Sequence, residues 1–214
     1  MFAQKIDKAV KNIGDKKVGV VTNDVARLVT RFQKGDKRAF TELVKAYQRR
    51  VYSLAYKMLQ SHIDADEVTQ ETFVRIYNRI DLLKSPEHFG PFILRIATNY
   101  AIDLMRKGKG RMVAMSEEAE LPGSVQLTLS DRVIGPERAF ENKQLLRAIL
   151  EAAEELPPRQ RMTLILHDIE GLTKDEVARI MDCPEATVRS NLHIARGKLK
   201  KKLVKFLDYG KGRR

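Results

Sequence analysis

Apolar side chains recur at helical spacing along nearly the whole chain, and that periodicity excludes most folds at once. Phe40, Leu43, Val44, Tyr47, Val51, Leu54, Ala55 and Met58 fall three or four residues apart, which predicts one apolar stripe along a helix from about Lys37 to Gln60. Gly35 is placed to end a preceding helix, roughly Asp24 to Lys34, and Asp36 to cap the new one. The stretch DADE at Asp64–Glu67 has the form of a capping box. The helix after it is expected to bury Val68, Phe73, Ile76, Tyr77 and Ile80, and to show Asp66, Glu67, Gln70, Glu71, Arg75 and Asn78 on its other side. Pro86, Gly90 and Pro91 then resist a continuous helix. From Pro91 to about Lys107 a further helix turns Phe92, Ile93, Ile96, Ala97, Tyr100 and Leu104 inward, with Arg95, Thr98, Asn99, Asp103 and Arg106 pointing elsewhere. The run SVQLTLS alternates as a strand does but stands alone, so the chain is expected to be all-α.

Periodicity is lost from Gly108 to about Gly135, a stretch rich in Gly, Ser and Glu and too long for an ordinary loop. It predicts a flexible linker between two small helical domains, 24–107 and 136–214, with 1–23 as an N-terminal extension. The second domain is expected to open with a helix from about Pro136 to Glu155 burying Leu146, Ile149, Leu150 and Ala153. A second helix, striped by Met162, Ile165, Leu166 and Ile169, stops at Gly171. Thr173–Glu176 is another capping box, opening a short helix with Val177, Ala178, Ile180 and Met181 inward. Asp182 and Cys183 form a turn, and Pro184 starts a longer helix burying Val188, Leu192, Ala195, Leu199, Leu203 and Phe206. A short helix, a tight turn and a longer helix make a helix-turn-helix, a unit that lays its second helix in the DNA major groove.

Charge supports that placement. The segment Pro184–Arg214 carries ten Lys or Arg against two acids, a net of +8 out of the chain's +12. Thr187, Arg189, Ser190 and His193 lie in the early turns with donors and acceptors suited to base edges, and Arg189 can make a bidentate contact to guanine. Arg196, Lys198 and Lys200–Lys202 come later and suit phosphates. Other classes fit poorly. The histidines His62, His88, His167 and His193 are scattered without a metal-protease spacing, and no P-loop or nucleophile elbow is present. His62, Asp64 and Asp66 look like a metal cluster, yet Asp64 is better explained as a cap. No catalytic residue, metal or cofactor is therefore expected. Cys183 is the lone cysteine, so no intramolecular disulfide forms. No apolar run is long enough to span a bilayer and no secretory signal pattern is visible, so a cytoplasmic location without membrane insertion is expected.

Three stretches, DADEVTQETFVRIY (Asp64–Tyr77), FGPFILRIATNYAIDLMRK (Phe89–Lys107) and LPPRQRMTLILHDIEGLTKDEVARIMDCPEATVRSNLHIARGKL (Leu156–Leu199), resemble in this order the bacterial RNA polymerase sigma factors of the extracytoplasmic-function group. The resemblance covers about Val25 to Leu207 apart from the linker. It implies promoter-specific transcription initiation, with core RNA polymerase, promoter DNA and an anti-sigma factor as partners. Asp66, Gln70, Glu71 and Arg75 then match the helix that docks on a coiled coil of the largest polymerase subunit. Lys84, His88, Arg95, Asn99 and Arg106 match the region that holds the −10 element as single-stranded DNA. The helix from Pro184 to Lys200 matches the reader of the −35 duplex, with Arg189, Ser190 and His193 at base contacts, Thr187 and Arg196 near phosphates, and Lys198 among the later cations. Phe92 stands where the family usually has Trp, and Asn191 and Ile194 where it commonly has basic residues. A stand-alone helix-turn-helix regulator of transcription is the alternative.

Overall fold

The computed structural model describes residues 22–108 and 146–211, with side chains over 24–107 and 146–203. Every regular element among them is helical, and they fall in two units. Residues 1–21 of the expected extension, 109–135 of the expected linker and the start of the helix expected from Pro136 lie outside the described residues, whereas Thr22 and Asn23 open the first helix and Gly108 ends the helix before the linker.

The N-terminal unit is a bundle of α1 (Thr22–Gln33), α2 (Lys37–Leu59), α3 (His62–Arg79) and α4 (Phe89–Gly108), with two 3₁₀ turns, Ile80–Leu82 and Pro86–His88, between the last two. The α2 stripe does what its spacing predicts: Leu43, Val51, Leu54 and Met58 are fully or almost fully buried, and α2 packs on all three other helices. Gly35 sits at φ 94°, a left-handed conformation open to glycine at little cost, and Asp36 accepts the Arg38 N–H at 3.0 Å to start the next helix. Gln60 closes α2 in the same left-handed region, at φ 53°.

Four expectations for this unit are corrected. The DADE box does not start α3; the helix begins earlier, at His62, and Ser61 is its cap, its Oγ accepting the Asp64 N–H at 3.2 Å. A serine three residues upstream starts the helix one turn earlier, which places Asp64 inside it, and Glu67, freed from the cap, accepts a 2.6 Å hydrogen bond from the Tyr100 hydroxyl. Tyr77 is not buried: its ring lies 5.1 Å from Phe40 and 5.5 Å from Phe32 but remains 44% exposed at the bundle edge. Thr98 is fully buried rather than outward, because α4 packs on both α2 and α3 and its buried arc is wide, taking in Phe89, Leu94 and Ile102 as well. Gly90 and Pro91 do not delay α4. They fall in its first turn, where a proline's missing N–H has no intrahelical partner to lose.

The C-terminal unit contains a helix over 146–153 (α5), α6 (Pro158–Leu164), α7 (Lys174–Met181) and α8 (Glu185–Lys211). The second expected helix is α6 continued by one π turn, Ile165–Ile169, in which the Glu170 N–H reaches back to the Ile165 carbonyl at 2.9 Å. Gly171 at φ 72° then stops it. The Thr173–Glu176 box forms as its sequence predicts: Glu176 N–H donates to Thr173 Oγ1 at 3.2 Å and Thr173 N–H to the Glu176 carboxylate at 2.8 Å. Asp182, at φ 51°, and Cys183 make the turn into α8. Along α8, Val188, Leu192, Ala195, Leu199 and Leu203 are buried on one face, in the expected register; the Phe206 side chain is outside the described set.

Candidate nucleic-acid interface

Burying that stripe fixes which residues α8 shows on its far side. Ala186, Ser190, His193, Ile194 and Gly197 form the outward ridge, all exposed. Arg189, Arg196 and Lys200 run along one flank of the ridge, and Thr187 and Lys198 along the other. The first flank borders a groove of about 440 Å³ in which Lys174, from the start of α7, joins Arg189, His193, Arg196 and Lys200. Four permanent cations and a histidine in one concavity attract an anion at close range. Lys174 was not singled out in the sequence. Its place beside the capping Thr173 puts it on the first helix of the motif, and only the fold brings it to the second.

Several of these cations are already tethered. Arg189 holds Glu185, one turn back, through Nη2 at 2.8 Å and Nε at 3.2 Å. Arg196 makes a bidentate pair with Asp168, Nε to Oδ2 at 2.9 Å and Nη2 to Oδ1 at 2.5 Å. Asp168 belongs to the π turn and is only 8% exposed, whereas the Arg196 side chain is 49% exposed, so the guanidinium is oriented by a buried carboxylate while about half of its side chain stays at the surface. Lys198 Nζ approaches Gln160 Oε1 at 3.5 Å, and Lys202 pairs with Glu155. Asn191 turns towards α6 instead of outward, its Nδ2 lying 3.4 Å from Thr163 Oγ1.

In the N-terminal unit Lys84, His88, Arg95, Asn99 and Arg106 are all exposed. Lys84 lies between the two 3₁₀ turns and His88 ends the second. The intervening loop is fastened from α1, whose Gln33 amide donates to the carbonyls of Ile80 at 3.0 Å and Leu83 at 2.8 Å. Arg95, Asn99 and Arg106 share the solvent ridge of α4, with Arg106 3.9 Å from Asp103. Leu82, 71% exposed in the same loop, is an apolar side chain in water that nothing in the sequence pattern had marked.

The α3 surface divides into two parts. Glu71 and Arg75 pair at 2.7 Å, and the Arg75 guanidinium stacks 4.6 Å over the Tyr100 ring. These two are half-buried structural partners of α4. The hydrogen bond from Tyr100 to Glu67 also pushes the phenol up to about 12. Asp66 and Gln70 are exposed, and on their face stand Ile63 at 81%, Val74 at 52% and Tyr77 at 44% exposure. Ile63, Gln70 and Tyr77 recur at seven-residue intervals, as do Glu67 and Val74. Sequence reasoning missed Ile63 and Val74 because it looked for polar contacts; the heptad spacing was there to be read.

Comparison with known proteins follows the same division. The Sigma-70 region 2 family matches residues 43–111 and Sigma-70 region 4 matches 146–199. The ECF RNA polymerase sigma factor SigW of Bacillus subtilis is 31% identical over 183 residues, spanning 84% of this chain and 96% of SigW. The ECF RNA polymerase sigma-E factor of Escherichia coli K12 is 34% identical over 170 residues, 79% of this chain and 88% of the relative. Two solved structures share the fold, each with TM-score 0.56. CnrH in complex with the cytosolic domain of CnrY is 21% identical and covers 84% of this chain and 96% of CnrH. The sigma factor RpoE in complex with the anti-sigma factor NepR, from Bartonella quintana, is 20% identical and covers 77% and 96%. With both regions matched in order and a relative aligned over nearly its full length, this chain belongs to the ECF sigma factors of RNA polymerase.

Proposed function

We propose that this sigma factor reads the −35 element as duplex with the α8 ridge and the −10 element as melted single strand with the 80–88 loop and the α4 ridge, while the exposed α3 face docks on a coiled coil of the largest polymerase subunit. The proposed parts are an extension over 1–23, a polymerase-binding and −10 domain over 24–107, a linker over 108–135 and a −35 domain over 136–214. One observation carries this reading: a chain with a cation-flanked helix-turn-helix ridge also has, in a separate unit, a helix whose exposed face carries Ile63, Val74 and Tyr77 within two heptad-spaced rows, 63/70/77 and 67/74. A duplex binder acting alone has no use for the second surface. A heptad stripe suits a coiled-coil partner, because such partners present their own side chains at the same interval.

The −35 contacts divide by chemistry. Arg189, Ser190 and His193 supply donors to base edges, and Thr187, Arg196 and Lys198 supply phosphate contacts on the two flanks. At the −10 element, Lys84, Arg95, Asn99 and Arg106 hold the sugar-phosphate chain, and His88 lies where an unstacked base passes. Capture of such bases offsets the few kcal/mol that each unpairing costs, about what base stacking on a side chain returns. Asp66 and Gln70 give polar contacts at the polymerase interface, and Glu71 and Arg75 stiffen the helix behind it. An anti-sigma protein covering these surfaces is a further proposed partner, as CnrY and NepR are found with the two fold neighbours. The site of action is the cytoplasm, where the polymerase is; among the described residues no helix is long and apolar enough to cross a membrane.

Run-off transcription with purified core polymerase on a promoter library tests the proposal. Promoter-specific starts are expected only when this chain is added, together with weak binding of the isolated chain to duplex. Tight, specific duplex binding without polymerase, and no stable complex with core enzyme, would sink it.

A further inference from the structure

Ile194 is the one large apolar side chain exposed on the C-terminal unit among the described residues, at 40%. It stands on the outward ridge of α8, between Ser190 one turn before and Gly197 one turn after. Both neighbours are small, and a Cβ built on Gly197 meets nothing within 4 Å, so the isoleucine projects beyond the helix surface around it. On one side the ridge is bordered by a groove whose Lys174, Arg196 and Lys200 fit a phosphate chain running beside it. A helix anchored along that flank turns Ile194 towards base edges.

Base edges in the major groove are hydrogen-bond donors and acceptors with one apolar exception, the C5-methyl group of thymine. Isoleucine has nothing to donate or accept. Set against any other edge it leaves a polar group desolvated and unpaired, a penalty that discriminates more strongly than the missing attraction. We infer that Ile194 is a specificity residue that selects thymine at one position of the −35 duplex by packing on its methyl group. The inference rests on the proposal that α8 reads that element, and adds the identity of one base to it.

The test uses holoenzyme assembled from core polymerase and the full chain, selected on a duplex library randomised across the upstream element. Wild type is expected to yield a thymine-rich column that flattens in Ile194→Ala and persists in Ile194→Val, the other columns being unchanged. Deoxyuridine in place of thymidine at that column removes only the methyl. It should weaken wild-type binding about threefold to fivefold, the factor for one buried methyl group, and leave Ile194→Ala indifferent. If Ile194→Ala selects the same thymine, or uracil binds wild type as well as thymine does, the assignment of Ile194 is wrong while duplex reading by α8 stands. If wild-type holoenzyme selects no upstream motif at all, both fail.

Discussion

An arginine that is to contact a phosphate, as proposed for Arg196, must be held without being withdrawn from the surface, and the Asp168–Arg196 pair does this. Asp168 is buried in the π turn while Arg196 keeps about half its side chain exposed, so a buried carboxylate orients a guanidinium that stays at the surface. Asp168→Asn removes the charge and keeps the shape. It is expected to cost about 1–2 kcal/mol in urea unfolding, below the value for a wholly buried pair because Arg196 remains solvated. It should also weaken promoter binding by loosening Arg196. The Tyr100–Glu67 hydrogen bond gives a second residue-scale expectation. Its phenol is raised from 10.0 to about 12, first by the bond to Glu67 and then by desolvation. The protonated phenol is therefore the form favoured in the fold. Its contribution is complete below pH 10 and is lost as pH rises through about 12. Tyr100→Phe should accordingly lower stability slightly at neutral pH, and the gap from wild type should close in strong alkali, as followed by circular dichroism.

At the scale of elements, the exposed face of α3 is the surface whose disruption best separates docking from folding. Val74→Asp replaces an exposed apolar side chain by a charge on a face that points away from the core of its own unit. It is expected to leave the melting temperature within a degree or two of wild type, as exposed changes do, and to weaken core polymerase binding at least about tenfold, measured by fluorescence anisotropy. The same helix shows where sequence reasoning worked and where it stopped. The α2 stripe, the Thr173–Glu176 cap and the α8 register were legible because each is set by spacing within one element, and local geometry alone decides it. The α3 start was misread because two cap candidates, Ser61 and Asp64, lie within one turn, and only the folded chain chooses between them. Thr98 was assigned to the wrong side because the width of a buried arc depends on how many neighbours a helix has, which no single-helix periodicity contains. The groove lining was half legible: Arg189, His193 and Arg196 came from α8 itself, whereas Lys174 and the clasp of Asp168 on Arg196 are tertiary facts.

For the whole molecule, charge is distributed as unevenly as function. The segment from Pro184 onward carries +8 of the +12, so the C-terminal unit dominates attraction to a polyanion. Its lysines are not equivalent. Lys200 and Lys201 are exposed, whereas Lys202 already pairs with Glu155. Replacing both Lys200 and Lys201 by Ala should reduce the slope of log affinity against log salt by roughly 0.9 for each phosphate that is no longer neutralised, and Lys202→Ala should reduce it less. The bare backbone at Gly197 bears on how evolvable this protein is. Alanine there would suit an isolated α8, improving its helical preference by about 1 kcal/mol, with open space around the new methyl. Yet that methyl would stand on the ridge proposed to meet base pairs, so Gly197→Ala is expected to melt at a higher temperature and initiate from its promoter less well. Selection for a sturdier chain and selection for a more faithful one would then pull this single position in opposite directions.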